Sequence, residues 1–234
     1  MTLRHNNLTA QKKKIVVLIS GGGTNLQALI DTCKNSDCNN ITGKNQQING
    51  EIIAVISNKA DVYGLERAKQ SGIAHHVLSH KDYHSRDEYD QALIKLIDQF
   101  DSDLIVLAGF MRILTAEFVQ QYRGKLLNIH PSLLPKYQGL NTHQRAIDAK
   151  DSEHGVSVHF VTEELDGGPV ILQAKVPVFD NDNAEQLASR VHQQEHRIYP
   201  LVVKWFCENR LIMQNDHAVL DNMELSASGY ANDD

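Results

Sequence analysis

Short apolar runs rich in β-branched residues alternate with amphipathic segments along most of this chain. Continuous runs at residues 15–19, 52–56 and 104–107 are typical of strands that are buried on both faces of a sheet. Between such runs, apolar residues recur at helical spacing, as Leu26, Leu29 and Ile30 do. The alternation predicts an α/β fold with a Rossmann-like, doubly wound and mostly parallel sheet flanked by helices.

Cap residues and prolines refine the boundaries of these elements. Ser85, with Glu88 three residues later, is typical of a capping box, and Thr115 is predicted to cap another helix. Pro200 is expected to kink the last long helix. The predicted strands are residues 15–19, 52–56, 75–78, 104–107, 126–129, 156–161 and 170–178, and the predicted helices include residues 62–70, 86–100, 142–149 and 184–206.

Polar segments bound and interrupt the predicted domain. Residues 1–13 are expected to form a flexible N-terminal tail, which leaves residues 14–234 as one domain. Residues 34–50 are rich in Asn, Gln, Lys and Gly and are predicted to be an exposed excursion. The last 25 residues alternate poorly and are expected to wrap the surface.

Composition narrows the class of partner. The chain has 234 residues and a net charge of −6, and no basic stripe extends beyond the lysines at 12–14, so no nucleic-acid partner is expected. Cys33, Cys38 and Cys207 are an odd number without C-x-x-C spacing, which favours free thiols in the cytoplasm. No apolar run approaches the roughly 18 residues of a membrane span and no signal peptide is recognisable, so no membrane partner is expected.

Three glycines, at 21–23, follow the first predicted strand and precede a helix. They let the backbone approach a ligand closely, and the helix start offers free N–H groups to an anion. Leu26 occupies the last glycine position of a dinucleotide motif, so a phosphate monoester fits better; the alternative is a tight turn without a ligand. Because ligands of such sheets bind beyond the carboxyl ends of the strands, Asn25, Met111 and His130 are expected to converge.

Asn128 and His130 end the predicted fifth strand, directly before Pro131. Alternate residues of a strand face the same way, so both side chains can reach one carbonyl oxygen. Their N–H groups would stabilise the negative charge which that oxygen gains when an amine attacks a formyl group. Asp166, within Leu-Asp-Gly-Gly-Pro, would pair with His130 and relay a proton. The alternatives are a structural histidine and a turn aspartate.

A zinc site is a competing interpretation of His192, Glu195 and His196. Their spacing matches H-x-x-E-H, a zinc hydrolase pattern, but no third ligand is indicated. A second group of histidines, His75, His76, His80 and His84, straddles a strand, a turn and a loop, which disfavours a shared metal. We therefore expect no metal.

Considered together, these motifs resemble the phosphoribosylglycinamide formyltransferases of purine synthesis, which use 10-formyltetrahydrofolate. The likeness runs from about Ile15 to about Tyr230. It includes Ile-Val-Val-Leu-Ile-Ser-Gly, Ser57-Asn-Lys-Ala-Asp, Leu-Ala-Gly-Phe-Met-Arg-Ile-Leu, Leu-Leu-Asn-Ile-His-Pro-Ser-Leu-Leu-Pro-Lys-Tyr, Gly155-Val-Ser-Val-His-Phe-Val, Leu-Asp-Gly-Gly-Pro-Val-Ile and Gln-Glu195-His. Gly22 and Gln138 depart from the family, where Asn and Pro respectively are common at these positions.

The resemblance implies a role for each matching position. Residues 14–234 would be a single formyltransferase domain that acts on small-molecule substrates as a monomer or homodimer. It implies Asn128, His130 and Asp166 as the catalytic residues; Gly23, Thr24, Asn25 and Glu195 for the phosphoribosylglycinamide; and Arg86, Met111, Arg112, Ile113, Leu114, Val161, Thr162, Glu163, Glu164 and Leu165 for the formyl folate.

Three rival functions share parts of this pattern. A formyltetrahydrofolate hydrolase would use the same three catalytic residues with water as acceptor, usually behind a regulatory domain for which residues 1–13 are too short. A methionyl-tRNA formyltransferase would need a C-terminal nucleic-acid-binding domain and a basic surface, whereas this chain is acidic. A non-catalytic nucleotide sensor would bind the phosphate ligand without turning over formyl folate.

Overall fold

The computed structural model describes residues 11–34 and 47–230, and its strands and helices alternate along most of the chain. The first strands are β1 (Lys13–Ile19), β2 (Gly50–Ser57), β3 (Ala74–Val77), β4 (Leu104–Leu107), β5 (Leu126–His130), β6 (Glu153–Phe160) and β7 (Val170–Pro177). The helices are α1 (Thr24–Lys34), α2 (Tyr63–Gln70), α3 (Arg86–Asp98), α4 (Ala116–Gln121), α5 (Thr142–Asp148) and α6 (Ala184–Cys207).

These seven strands form one sheet in the order β3-β2-β1-β4-β5-β6-β7. The pairs from β3 to β5 are parallel, whereas β6 is antiparallel to both β5 and β7. In β1, alternate residues enter different cores: Val17 belongs to one hydrophobic cluster, and Val16 and Leu18 belong to another. The predicted doubly wound, mostly parallel α/β fold is confirmed.

Helix caps agree with the sequence in part. The Ser85 hydroxyl accepts from the Glu88 N–H, as predicted, but the Glu88 carboxylate accepts from His84 rather than from Ser85 itself. Thr115 caps α4 through the Phe118 N–H. The last helix, α6, is continuous through Pro200, which stands well inside it.

The C-terminal region is more regular than predicted. Three further strands, β8 (Leu211–Gln214), β9 (His217–Leu220) and β10 (Met223–Glu224), form an antiparallel sheet. These strands were not predicted from the sequence, because strands this short leave little periodicity to detect. The missed signal lay in the turns: Asn215-Asp216 and Asp221-Asn222 all have positive φ, as tight hairpin turns require.

The predicted excursion at residues 34–50 needs a correction at its end. Ile48 is fully buried in the core, and its N–H donates to the Thr32 carbonyl, because the chain must return to start β2 at Gly50. Residues 1–10 and 35–46, including Cys38, lie outside the described residues. β1 begins at Lys13, so the last residue of the predicted tail belongs to a strand. Between residues 11 and 230, leaving aside 35–46, no helix has the length and apolarity to cross a membrane.

Candidate active site

Asn128, His130 and Asp166 meet at the carboxyl edge of the sheet. The first two occupy alternate positions of β5, and Asp166 lies on the loop between β6 and β7. His130 Nδ1 is 3.4 Å from Asp166 Oδ2, and Asn128 Nδ2 is 3.5 Å from Asp166 Oδ1. Both His130 and Asp166 have side chains that are less than a tenth exposed. The structure thus places the predicted catalytic side chains in contact, and their roles remain a prediction.

The His130 ring is held from both sides. Its Nε2 lies 2.9 Å from the Tyr137 carbonyl oxygen, which can only accept, so Nε2–H is the donor there. Nδ1 faces the Asp166 carboxylate. Each ring nitrogen therefore faces an oxygen acceptor. A substrate oxygen that takes a hydrogen bond from His130 must displace one of these partners.

His159 is a member of this cluster that the sequence analysis missed. Antiparallel pairing of β5 and β6 sets His159 directly opposite Asn128. Its Nδ1 donates to the Phe160 carbonyl at 2.8 Å, so Nε2 is the acceptor for the Asn128 amide at 3.2 Å. Burial lowers the pKa of His159 to about 4, which keeps the ring neutral at neutral pH. His159 belongs to the motif that begins at Gly155, but only the register between β5 and β6 shows that Asn128 is its partner.

Asp166 is oriented by its loop. Its φ is +49°, and its Oδ2 accepts from the Gly139 N–H at 2.9 Å. The Gln138 side-chain amide donates to the backbone carbonyl of Asp166 at 3.4 Å. A Cβ on Gly168 would overlap the Phe160 carbonyl oxygen, so only glycine lets the loop return this closely to β6. The segment after β5 therefore holds both His130 and Asp166.

The glycine loop at residues 21–23 is anchored by α2. The Gly21 carbonyl accepts from the Gly64 N–H at 3.1 Å, and the Gly22 carbonyl accepts from Arg67 Nε at 2.9 Å. α1 begins at Thr24, so the N–H groups of its first turn lack intrahelical acceptors. This geometry suits an anion at the predicted position, next to Gly23, Thr24 and Asn25.

Asn25 and Glu195 extend this side of the site. Asn25 Nδ2 donates to Glu195 Oε2 at 2.7 Å, and both residues are buried. Asn25 Oδ1 and His196 Nε2 are buried without a hydrogen-bond partner among the described residues. Burial also lowers the pKa of His196.

The residues of the H-x-x-E-H pattern differ in their surroundings. Glu195 binds Asn25, and His192 is exposed. Among the residues that the structure describes, no three His, Cys, Asp or Glu side chains are grouped to hold a metal. Of the other histidines, His76 packs on Phe100 and His80 lies 3.5 Å from the Asn58 amide.

The predicted folate residues form two segments. Met111 and Ile113 are 69% and 55% exposed, and Leu165 is 48% exposed, so apolar surface is present. The loop residues Thr162, Glu163, Glu164 and Asp166 line a cavity of about 840 Å³. Val161 continues the sheet by donating to the Leu126 carbonyl, and Leu114 packs against the second hydrophobic cluster.

A buried carboxylate supports the first folate segment. Asp90 is 2% exposed, and its Oδ2 accepts from the Thr115 N–H at 2.6 Å. Burial raises the pKa of Asp90, while Arg112 and Arg86 act in the opposite direction. The Arg112 guanidinium also lies 5.3 Å from the Tyr89 ring centre. The positive charges of both predicted basic residues therefore favour the ionised form of this carboxyl.

A histidine pair connects α5 to β6 behind the segment that holds His130. His143 Nδ1 and His154 Nε2 are 3.2 Å apart. Burial, and then the neighbouring His154, lower the pKa of His143 to about 4. Burial likewise lowers the pKa of His154. The pair is thus most compatible with neutral rings.

Comparison with known proteins identifies similar sequences over nearly the whole chain. The formyl transferase family profile matches residues 13–203. The chain is 57% identical over 220 residues to the phosphoribosylglycinamide formyltransferase of Escherichia coli strain K12, covering 94% of this chain and 99% of that protein. It is 48% identical over 193 residues to the trifunctional purine biosynthetic protein adenosine-3 of Drosophila melanogaster, of which it spans 14%.

Solved structures give the same result. The phosphoribosylglycinamide formyltransferase of Coxiella burnetii superposes with a TM-score of 0.86 at 50% identity, covering 94% of this chain and 98% of that one. The glycinamide ribonucleotide transformylase 1 of Symbiobacterium toebii superposes with a TM-score of 0.83 at 39% identity, covering 90% and 95%. The similarity therefore includes the sheet, the glycine loop and the segments around Asp166.

Proposed function

This chain belongs to the formyl transferase family, and within it to the phosphoribosylglycinamide formyltransferases, and from that premise we propose which reaction it catalyses. It transfers a formyl group from 10-formyltetrahydrofolate to the amine of glycinamide ribonucleotide in purine biosynthesis. The observation that carries the proposal is the contact of Asn128, His130 and Asp166, with the Asn25–Glu195 pair extending the glycine-loop side of the same edge.

Binding orients the two substrates. The ribonucleotide phosphate takes the N–H groups near Gly23 and Thr24, and Glu195 contacts the glycinamide portion. The folate lies in the apolar cleft formed by residues 111–114 and 161–165. Fixing both partners converts a bimolecular encounter into an oriented attack.

The transfer itself proceeds without a covalent enzyme intermediate. The neutral amine forms a bond to the formyl carbon, and the carbonyl oxygen becomes negatively charged. Asn128 and His130 stabilise this oxygen by donating hydrogen bonds. The His130 Nε2–H must then leave the Tyr137 carbonyl, and the Asn128 N–H that faces Asp166 must turn to the substrate. Collapse breaks the bond from the formyl carbon to the folate nitrogen. Asp166, directly or through a water molecule, carries the proton from the attacking amine to that nitrogen.

The cellular setting belongs to the same proposal. Residues 14–234 act as one catalytic domain in the cytoplasm on small-molecule substrates, as a monomer or homodimer. The hydrolase alternative would use the same side chains with water as acceptor, but the relatives named above are transferases.

The decisive assay supplies purified protein with 10-formyltetrahydrofolate, with and without glycinamide ribonucleotide, and follows folate absorbance. We expect folate release that depends on the acceptor and forms the formylated ribonucleotide. Release that is equal without the acceptor, with formate as product, would instead establish a hydrolase. No release in either arm would contradict both enzymes and favour a nucleotide sensor.

A further inference from the structure

Ser20 lies between the two proposed substrate sites. It directly follows β1 and directly precedes the glycine loop, and it is 4% exposed. We propose that Ser20 is a positioning residue that couples the two sites, so that a ligand in one tightens binding in the other. The inference rests on the proposed function, because it takes the phosphate site and the folate site from there.

The backbone pairing of β1 with β4 stops just below this point. Its register ends at Leu18 and Leu107, with one further bond from the Ala108 N–H to the Leu18 carbonyl at 2.9 Å. Gly109, with φ of +74°, then turns the chain into the folate segment. Beyond the ladder, the Met111 N–H donates to Ser20 Oγ at 2.8 Å. A side chain thus continues the connection that the strands no longer make.

Asn58 fixes the direction of the Ser20 hydroxyl. The hydroxyl donates to Asn58 Oδ1 at 2.6 Å, and Asn58 is 3% exposed. With its proton committed to Asn58, the hydroxyl presents a lone pair to the Met111 N–H. Replacing Ser20 by alanine would leave that N–H and the Asn58 carbonyl oxygen without this partner.

Each proposed ligand orders one end of this bridge. A Cβ on Gly21 or Gly22 would meet nothing within 4 Å, so the loop next to Ser20 is open to a ligand on that side, while its carbonyl oxygens are held by α2. At the other end, the Met111 side chain is 69% exposed, although its N–H is held. A ligand that orders the glycine loop also fixes Ser20 and hence Met111. The second ligand then loses less conformational entropy on binding, which is positive coupling.

A matched control stands at the end of the neighbouring strand β2. Ser57 is fully buried, and its hydroxyl also both donates and accepts, but only to Lys59 of its own turn, at 2.7 and 3.1 Å. Ser57→Ala removes an equivalent hydroxyl and none of the hydrogen bonds of the bridge, although the turn which that hydroxyl closes carries Asn58. Asn58→Ala provides a second test, because it removes the acceptor that orients Ser20.

Titration calorimetry on the whole protein measures the coupling. The probes are glycinamide ribonucleotide and tetrahydrofolate, which lacks a transferable formyl group, and each is titrated with and without the other. For the unmodified protein we expect each ligand to tighten the other about fivefold or more. For Ser20→Ala we expect this factor to fall towards one, with each single-ligand Kd changed by less than about threefold. Asn58→Ala should lose part of the factor, and Ser57→Ala should keep it.

Four outcomes would overturn the coupling role. In the first, the unmodified protein binds both ligands independently. In the second and third, Ser20→Ala or Asn58→Ala keeps the coupling factor of the unmodified protein. In the fourth, Ser57→Ala loses as much of the coupling factor as Ser20→Ala does. If the unmodified protein binds neither ligand, the proposed function itself fails. Independent binding of both ligands, by contrast, would contradict only the coupling and not the proposed function. Circular dichroism on each variant checks the fold, and Asn58→Ala alone decides the case if Ser20→Ala does not fold.

Discussion

At the scale of single residues, the site is a chain of oriented hydrogen bonds. The Phe160 carbonyl fixes the His159 tautomer, His159 accepts from Asn128, and Asn128 reaches Asp166. Asp166 in turn faces His130. The sequence predicted three of these side chains because their types and spacing suit the chemistry. It did not predict His159, since a histidine inside a strand gives no sign of which residue lies opposite.

The first prediction concerns the proposed oxyanion donors. His130→Ala should lower kcat roughly 100-fold or more with a smaller change in KM, because the lost hydrogen bond forms mainly in the transition state. Asn128→Ala should behave in the same way. Steady-state kinetics with both substrates provide the measurement, and near-normal turnover by His130→Ala would remove this residue from the chemistry.

The second prediction concerns His159. His159→Leu removes the acceptor that orients the Asn128 amide, so kcat should fall by up to ~100-fold while KM for both substrates changes little. His75→Gln, on the exposed strand β3, is the matched control and should keep full activity. A fall in kcat that is accompanied by a loss of thermal stability, while the position of the Asn128 amide is unchanged, would mean that His159 acts only in packing.

At the scale of elements, the glycine loop and α2 are built to touch. A Cβ on Gly64 would lie 2.5 Å from Ile19 Cδ1 and 2.9 Å from the Gly21 carbonyl oxygen. The sequence predicted the loop and the helix separately, because each has a local pattern. It could not predict their contact, which depends on how α2 packs over β1. A different limit applies to the short hairpins after α6. Their pairing is local, but their strands are too short for a periodic pattern to reveal them.

The third prediction follows from this contact. Gly64→Ala should destabilise the protein by about 1–3 kcal/mol and raise KM for the ribonucleotide more than KM for the folate, because α2 must move away from the glycine loop. Urea unfolding and kinetics measure the two effects. Gly72→Ala, where a Cβ would meet nothing but φ is +72°, controls for backbone strain alone and should leave both KM values unchanged.

The fourth prediction concerns pH. Burial lowers the pKa of His143 to about 4 and also lowers that of His154, so the unfolded chain, with ordinary values near 6.5, takes up protons first as pH falls. The contribution of His143 to stability is therefore complete above about pH 6.5 and is lost between there and about pH 4, and His154 acts in the same direction. Each proton contributes a slope of about 1.4 kcal/mol per pH unit.

Urea unfolding at pH 7, 6 and 5 tests this slope. His143→Phe removes one titrating ring and should make the free energy of unfolding less dependent on pH in that window. A variant with the same slope as the unmodified protein would show that the histidine pair is not the source of the acid sensitivity.

At the scale of the whole molecule, a reversal of strand direction after β5 creates the site. Parallel pairing brings the ends of β1, β4 and β5 to one edge, which the sequence predicted from alternating strands and helices. The antiparallel β6 then places His159 opposite Asn128, and its following loop returns Asp166 to His130. Strand direction depends on long-range packing, so periodicity alone could not supply this part.

The fifth prediction concerns the C-terminal segment, which closes over the core. The Trp205 and Tyr230 ring centres are 5.5 Å apart, and the Tyr230 N–H donates to the Ile171 carbonyl at 2.8 Å. Tyr230→Ala should lower stability by about 1 kcal/mol, because it removes the aromatic contact but keeps the backbone bond. Trp205 is the only tryptophan, so its fluorescence should shift to longer wavelength in the folded variant. An unchanged spectrum and unfolding midpoint would contradict this contact.

The loop between β6 and β7 has a consequence for redesign. It carries the proposed folate residues 161–165 directly before Asp166, and Gly168 leaves no space beneath it. Reshaping this loop to accept a different one-carbon donor would therefore shift the carboxylate that is proposed to relay the proton. On this scaffold, selectivity for the one-carbon donor and kcat are expected to change together. Variants selected in the laboratory for one of these properties should therefore be measured for both.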